Sequence, residues 1–168
     1  MNNKISYYCI VFLEFFNENI LEQLLSLQDV NYLSIVYKPN YLYGLNNLVK
    51  YLEPKKTPYR WKVHSIVRSE ISDGEIVDTI LDTNYNQSHT SHLIISKSPK
   101  LLNNNFINQA NEIITNSKYS SDLFGAISSN NPYDIFCTAV SIYNSNEKNR
   151  DCDILSKIKA LDRKIYEV

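Results

Sequence analysis

Glycine is nearly missing from this chain: the sequence holds three in 168 residues, the isolated Gly44, Gly74 and Gly125. Phosphate-cradling loops of the Walker and dinucleotide-binding kinds need several glycines in close order, because only a residue without a Cβ lets the backbone close on a phosphate. Both nucleotide-binding classes are thereby excluded. Cysteine is equally sparse, with Cys9, Cys137 and Cys152 an odd set. Cys9 and Cys137 sit inside apolar runs, where a thiol acts as a small hydrophobe, so no disulfide framework is expected and a reducing compartment is. No apolar run approaches the roughly 20 residues that cross a bilayer. Met1-Asn2-Asn3-Lys4 leads straight into a strand-like run without a cleavage site, and a cytoplasmic protein is the expectation. Charge of one sign is also lacking, since the formal net charge is −1. Nucleic-acid binders concentrate a basic excess on one face, so no nucleic-acid partner is expected.

What is present is an ordinary globular composition, 43% hydrophobic and 21% charged. The length fits one domain over 1–168, large enough to fold without disulfide or metal staples. Lys55, Lys56, Arg60 and Lys62 form a modest basic cluster with Tyr59 and Trp61 interleaved. It reads as a solvated turn entering a strand, with phosphate contact as the alternative.

Apolar periodicity alternates between two kinds. Strands are expected at 7–16 (YYCIVFLEFF), 32–37, 61–67 and 92–96, from short runs rich in β-branched and aromatic residues. Further strands are expected at 123–128 and 135–143, with a short final one at 163–168. Between them, helical spacing runs from Asn17 to Leu27, over 42–52, over 73–81 with Ser72 or Asp73 as cap, and over 106–114. Asp151 or Asp153 caps a last helix to Leu161. Strands alternating with helices predict an α/β fold: a three-layer, mainly parallel sheet with helices on both faces.

Few constellations carry chemistry. His89 and His92 stand three apart across a loop-to-strand junction, poor geometry for a metal, and His64 alternates within a strand. No nucleophile elbow of the G-x-S-x-G type is present. Asp151-Cys152-Asp153 opens the last helix, where acids bind the exposed N–H groups and favour the dipole. A pair of that type also has the hard oxygens a divalent cation wants.

The order of these features resembles family-2 glycosyltransferases of the GT-A fold. The stretch from Asn149 to Ile165 is similar to the family's acidic pair, helix and closing strand, with Asp151 at the position of the second acid and Arg150 in place of the first. Phe15-Phe16-Asn17 before a leucine-rich helix is similar to the family's opening strand, Asn and first helix. His92 to Phe106 resembles its fourth strand, metal motif and helix entry, so the likeness spans nearly the whole chain. Asp151 is by this resemblance the general base that activates an acceptor hydroxyl. A nucleotide sugar would meet Asn17, Lys38, Ser96, Lys97, Ser98 and Asp153.

Two departures from the family pattern matter. Ser96-Lys97-Ser98 stands where the family has the Asp-x-Asp that holds a divalent ion, so no metal and no cofactor are expected. Lys38, Pro39 and Asn40 stand near the family's nucleotide-reading acid, and Asp162 falls at its usual glycine. A glycosyltransferase-like domain without metal-dependent transferase activity follows, acting in carbohydrate or nucleotide binding or as a structural or partner-binding module. An active, metal-independent transferase, with Lys97 or Arg60 neutralising the diphosphate, is the alternative. An unrelated α/β scaffold is the third reading. Nucleotide sugars, glycans and other proteins are the partners to expect.

Overall fold

The computed structural model describes residues 5–15, 17–37, 43–57, 59–65, 71–84, 90–116, 124–128, 134–140, 143 and 164–167. Seven strands form one sheet: β1 (Tyr7–Leu13), β2 (Val30–Tyr37), β3 (Arg60–Ser65), β4 (His92–Ser96), β5 (Phe124–Ser128), β6 (Ile135–Ala139) and β7 (Lys164–Glu167). Their order is β3-β2-β1-β4-β6-β5-β7. β1 runs parallel to β2 and β4, β2 to β3, and β5 to β7, while β6 is antiparallel to both its neighbours. Helices α1 (Glu18–Leu25), α2 (Tyr43–Leu52), α3 (Asp73–Asn84) and α4 (Asn104–Thr115) complete the described elements, with a 3-10 turn at Pro99–Leu101. The expected α/β fold with a mainly parallel sheet is what the chain adopts.

Every residue of β1 is buried, and its side chains alternate between two cores. Tyr7, Cys9, Val11 and Leu13 join one core with Leu21 and Leu24 of α1, Leu48 and Leu52 of α2, and Phe106 and Ile107 of α4. Tyr8, Ile10 and Phe12 join the other with Ile76, Val77, Ile80 and Leu81 of α3. A strand covered on both faces has no polar side, which is why its sequence reads as one continuous apolar run. Handedness places the helices. Right-handed crossovers from β1 to β2 to β3 step in one direction and keep α1 and α2 on one face. The return from β3 across to β4 reverses the step, so α3 must pack on the opposite face.

Side-chain caps set the element ends, and several differ from the sequence expectation. β1 stops at Leu13 rather than running to residue 16, because Glu14 and Phe15 bend out to solvent ahead of the helix. Asn17 is the N-cap of α1, its side-chain oxygen accepting the Ile20 N–H at 3.2 Å. α4 starts at Asn104, earlier than expected, since Asn103 caps it by accepting the Phe106 N–H at 3.0 Å. Ser72 is the residue that caps α3, its hydroxyl accepting the Glu75 N–H at 3.2 Å, which makes Asp73 the first helical residue. β6 ends at Ala139, and Val140 is already helical. The helix expected to begin at Asp151 or Asp153 lies outside the described residues.

At the amino ends of the strands, Asp29 closes the α1–β2 turn with φ 61°, a left-handed conformation that Asp tolerates better than most residues. Its carbonyl accepts the Tyr7 N–H at 2.9 Å and its carboxylate accepts Asn111 Nδ2 at 3.0 Å. Asn111 Oδ1 in turn accepts the buried Tyr7 hydroxyl at 2.6 Å, tying α4 to β1 and β2.

Candidate functional site

In open sheets of parallel strands, ligands bind outside the carboxyl ends, where the strand order reverses. This chain builds outward from β1 to β2 to β3 and then places β4 on the other side of β1. The reversal therefore lies between the carboxyl ends of β1 and β4, where Val11 stands level with Ser96. Exposed Glu14 and Phe15, then Asn17, follow β1; Lys97 and Ser98 follow β4. α3 brings Asp73 to the same place from the other face of the sheet.

The segment after β4 is held from several directions. Lys97 and Ser98 N–H groups donate to the Asp134 carbonyl at 2.7 and 3.2 Å, just ahead of β6. Ser96 is fully buried between Val11 and Ile135, and its hydroxyl donates to the Ser98 carbonyl at 2.8 Å. Gln23 of α1 reaches across with Nε2 to the carbonyls of Pro99, Lys100 and Leu102 at 3.3, 3.2 and 2.8 Å. Asn104 fastens the start of α4 to the end of α1 through the Gln28 N–H and the Ser26 carbonyl, at 2.8 and 3.0 Å. On this fixed loop, Lys97 Nζ lies 2.5 Å from Asp73 Oδ2, with side chains 43% and 17% exposed.

The structure thus brings together part of the sequence-predicted set. Asn17 follows β1, and Lys97 and Ser98 follow β4, while the Asn17 side-chain oxygen is already engaged as a helix cap. Ser96 belongs to the strand interior and is turned away from solvent. Lys38, Asp151 and Asp153 lie outside the described residues. Arg60, offered beside Lys97 as a stand-in for a metal, begins the edge strand β3 opposite Tyr32, at the amino end of the sheet. Of the two cations, Lys97 is the one at the carboxyl ends of β1 and β4.

Two residues at these strand and helix ends were not singled out as site residues from the sequence. Asp73 carried a signal, since Ser72 and Asp73 were rival caps for one helix and only one of them was needed. Phe15 carried another: an aromatic two residues ahead of the N-cap Asn17 has already left the strand, and it is 71% exposed here.

The remaining chemically interesting groups have structural occupations. His92, at the amino end of β4, has Nδ1 2.8 Å from the Ser91 hydroxyl and its ring 6.0 Å from that of Tyr7, and burial pulls its pKa down to about 4. His64 Nε2 lies 3.3 Å from the buried Ser34 hydroxyl, which also bonds Tyr8 at 2.8 Å. Burial, then the neighbouring Lys62, lowers the His64 pKa. Burial pushes the free thiols of Cys9 and Cys137 well above their ordinary range, so neither is poised as a nucleophile. A cavity of about 610 Å³ opens at the amino ends beside Ile5, Leu25 and Asp29, remote from the crevice. Its acid, Asp29, is already bonded to Asn111.

Metal chemistry fits this donor set poorly. Ser96, Lys97 and Ser98 supply none of the hard carboxylate oxygens that divalent ions take, and the Asp73 carboxylate beside them is paired with the Lys97 ammonium. Among the described residues, no group of three or more His, Cys, Asp or Glu is arranged to hold a metal ion, and no helix is long and apolar enough to cross a membrane. No family model matches the chain, and no curated protein matches it in sequence.

Proposed function

We propose that this chain is a glycosyltransferase-like domain that binds a nucleotide sugar or glycan at the carboxyl ends of β1 and β4, without metal-dependent transferase activity. The observation that supports the reading is the reversal of strand order between β1 and β4, with Asn17 following β1, Lys97 and Ser98 following β4, and Asp73 paired to Lys97. The parallel β3-β2-β1-β4 half with helices on both faces is compatible with the GT-A-like core that the sequence resembles. A Ser-Lys-Ser segment where that family has paired acids supports the second half of the reading, because a metal-bridged diphosphate needs carboxylate ligands.

A thermal-shift screen against nucleotide sugars and free glycosides, each with and without manganese, tests it. Ligand at 100 times its Kd stabilises the fold by about 2.7 kcal/mol, which for a chain of this size raises Tm by roughly 5–10 °C. The expected result is a rise with at least one sugar compound that manganese leaves unchanged. A rise that requires manganese, or none with any compound, contradicts the proposal.

A further inference from the structure

The cavity of about 610 Å³ at the amino ends of the strands takes no part in the proposed function, and its lining has a chemistry of its own. Small-molecule sites span roughly 300–1,000 Å³, and this one falls among them. Leu27 and Val30, buried members of the core beneath α1, form an apolar wall with the half-buried Ile5 and Leu25 packed beside them. Among the described lining residues, Asp29 is the one that carries a charge. Oxygen Oδ2 of its carboxylate accepts Asn111 Nδ2 at 3.0 Å. The other oxygen, Oδ1, has no hydrogen bond or ion pair among the described residues. A carboxylate offers about four acceptor sites, so most of this one's capacity is open.

The wall that holds Asp29 is set before any ligand arrives. Tyr7 N–H donates to the Asp29 carbonyl at 2.9 Å, and Asn111 of α4 holds the carboxylate from the side. Asn104, at the start of α4, accepts the Gln28 N–H at 2.8 Å and donates to the Ser26 carbonyl at 3.0 Å. A loop fastened in this way loses little further freedom on binding.

We infer that this cavity is a binding site for a small organic ammonium compound, an amine carrying an apolar ring or chain. The ammonium donates to Asp29 Oδ1, and the apolar body lies against Ile5, Leu25, Leu27 and Val30. A hydrogen bond between two ionised groups is roughly twice as strong as one between neutral groups, so the amine is preferred to an alcohol of the same shape. An anion of that shape meets the Asp29 charge unopposed and is rejected. The site is separate from the crevice between β1 and β4, so either can fail without the other.

Three probes share one indole body and differ in charge: tryptamine, tryptophol and indole-3-acetate. Each is titrated into the isotopically labelled full chain, and amide shifts are followed in wild type, Asp29→Asn and Leu25→Ala, with melting temperatures checked first. Asparagine also tolerates the φ of 61° found at Asp29, and its side-chain oxygen can accept from Asn111, so Asp29→Asn removes the charge and little else. Tryptamine is expected to bind wild type about tenfold or more tightly than tryptophol, with indole-3-acetate weakest. Shift changes should centre on Ile5, Ser26, Gln28 and Asn31. Asp29→Asn should erase the advantage of tryptamine, whereas Leu25→Ala should weaken tryptamine and tryptophol by similar factors. The inference is overturned if tryptophol or indole-3-acetate binds wild type as well as tryptamine, or if tryptamine affinity survives Asp29→Asn. Shift changes centred elsewhere, or no binding of tryptamine, overturn it equally. The comparison of the three probes on wild type needs no variant, so it decides even if a substitution impairs folding.

Discussion

Acid should destabilise this fold through His92, whose buried ring resists protonation. The ring is mostly buried at the amino end of β4, beside Tyr7 and Ser91, and burial alone holds its pKa at about 4 against an ordinary 6.5. A buried imidazole resists protonation because the cation would lose its water. The unfolded chain takes up the proton near pH 6.5 and the folded one near pH 4. The stabilising contribution of neutral His92 is therefore complete above pH 6.5 and is lost as pH falls toward 4. A difference of this size corresponds to about 3 kcal/mol, which for a chain this long is roughly 6–12 °C in Tm. His64 shifts in the same direction, and carboxylates titrate in the same range, so the measurement must be a difference. Melting curves of wild type and His92→Asn are recorded from pH 7.5 to 4.5. The wild type should lose about 2–3 kcal/mol more than the variant across that window. Parallel curves for the two proteins would refute the assignment of a buried, neutral His92.

Two buried polar contacts give further expectations. Ser34→Ala removes the partner of the buried Tyr8 hydroxyl and should cost about 1–3 kcal/mol in urea denaturation, with Tyr8→Phe in the same background recovering part of the loss. No recovery in the double variant would show that the Tyr8–Ser34 bond is not what Ser34 contributes. Asn111→Leu breaks the link from the Tyr7 hydroxyl to the Asp29 carboxylate and should cost about 1–3 kcal/mol, more than Tyr7→Phe, which removes donor and cost together. Equal losses for the two would contradict that account.

The sheet was legible in the sequence because β1, β2 and β4 are short apolar runs that only a strand covered on both faces explains. Helix spacing at Leu21 and Leu24, and at Ile76, Val77 and Ile80, pointed to the faces that pack. Strand direction was less legible: nothing local in Ile135–Ala139 distinguishes an antiparallel β6 from a parallel one, since a fully buried strand lacks alternation in either case. The end of β1 was missed because Phe15 looks like one more strand residue until the Asn17 cap is counted. Lys97 and Ser98 were named only from the resemblance of the segment after the fourth strand to the family's metal motif. Asp73 could be read only as a rival cap to Ser72, because its partner Lys97 is 24 positions away in the sequence and meets it only when α3 packs on the far face. Arg60 looked equivalent to Lys97 by charge, and only the topology separates the two ends of the sheet they occupy.

Under the proposed function, ligand binds between the carboxyl ends of β1 and β4 without a divalent ion. Amide NMR of the isotopically labelled full chain, titrated with a nucleotide sugar in the presence and absence of magnesium, tests it most directly. The account predicts shift changes clustered on Phe15, Asn17, Asp73, Lys97 and Ser98, the same with or without magnesium. Changes clustered instead around Ile5 and Asp29 at the amino ends, or appearing only when magnesium is added, would contradict it.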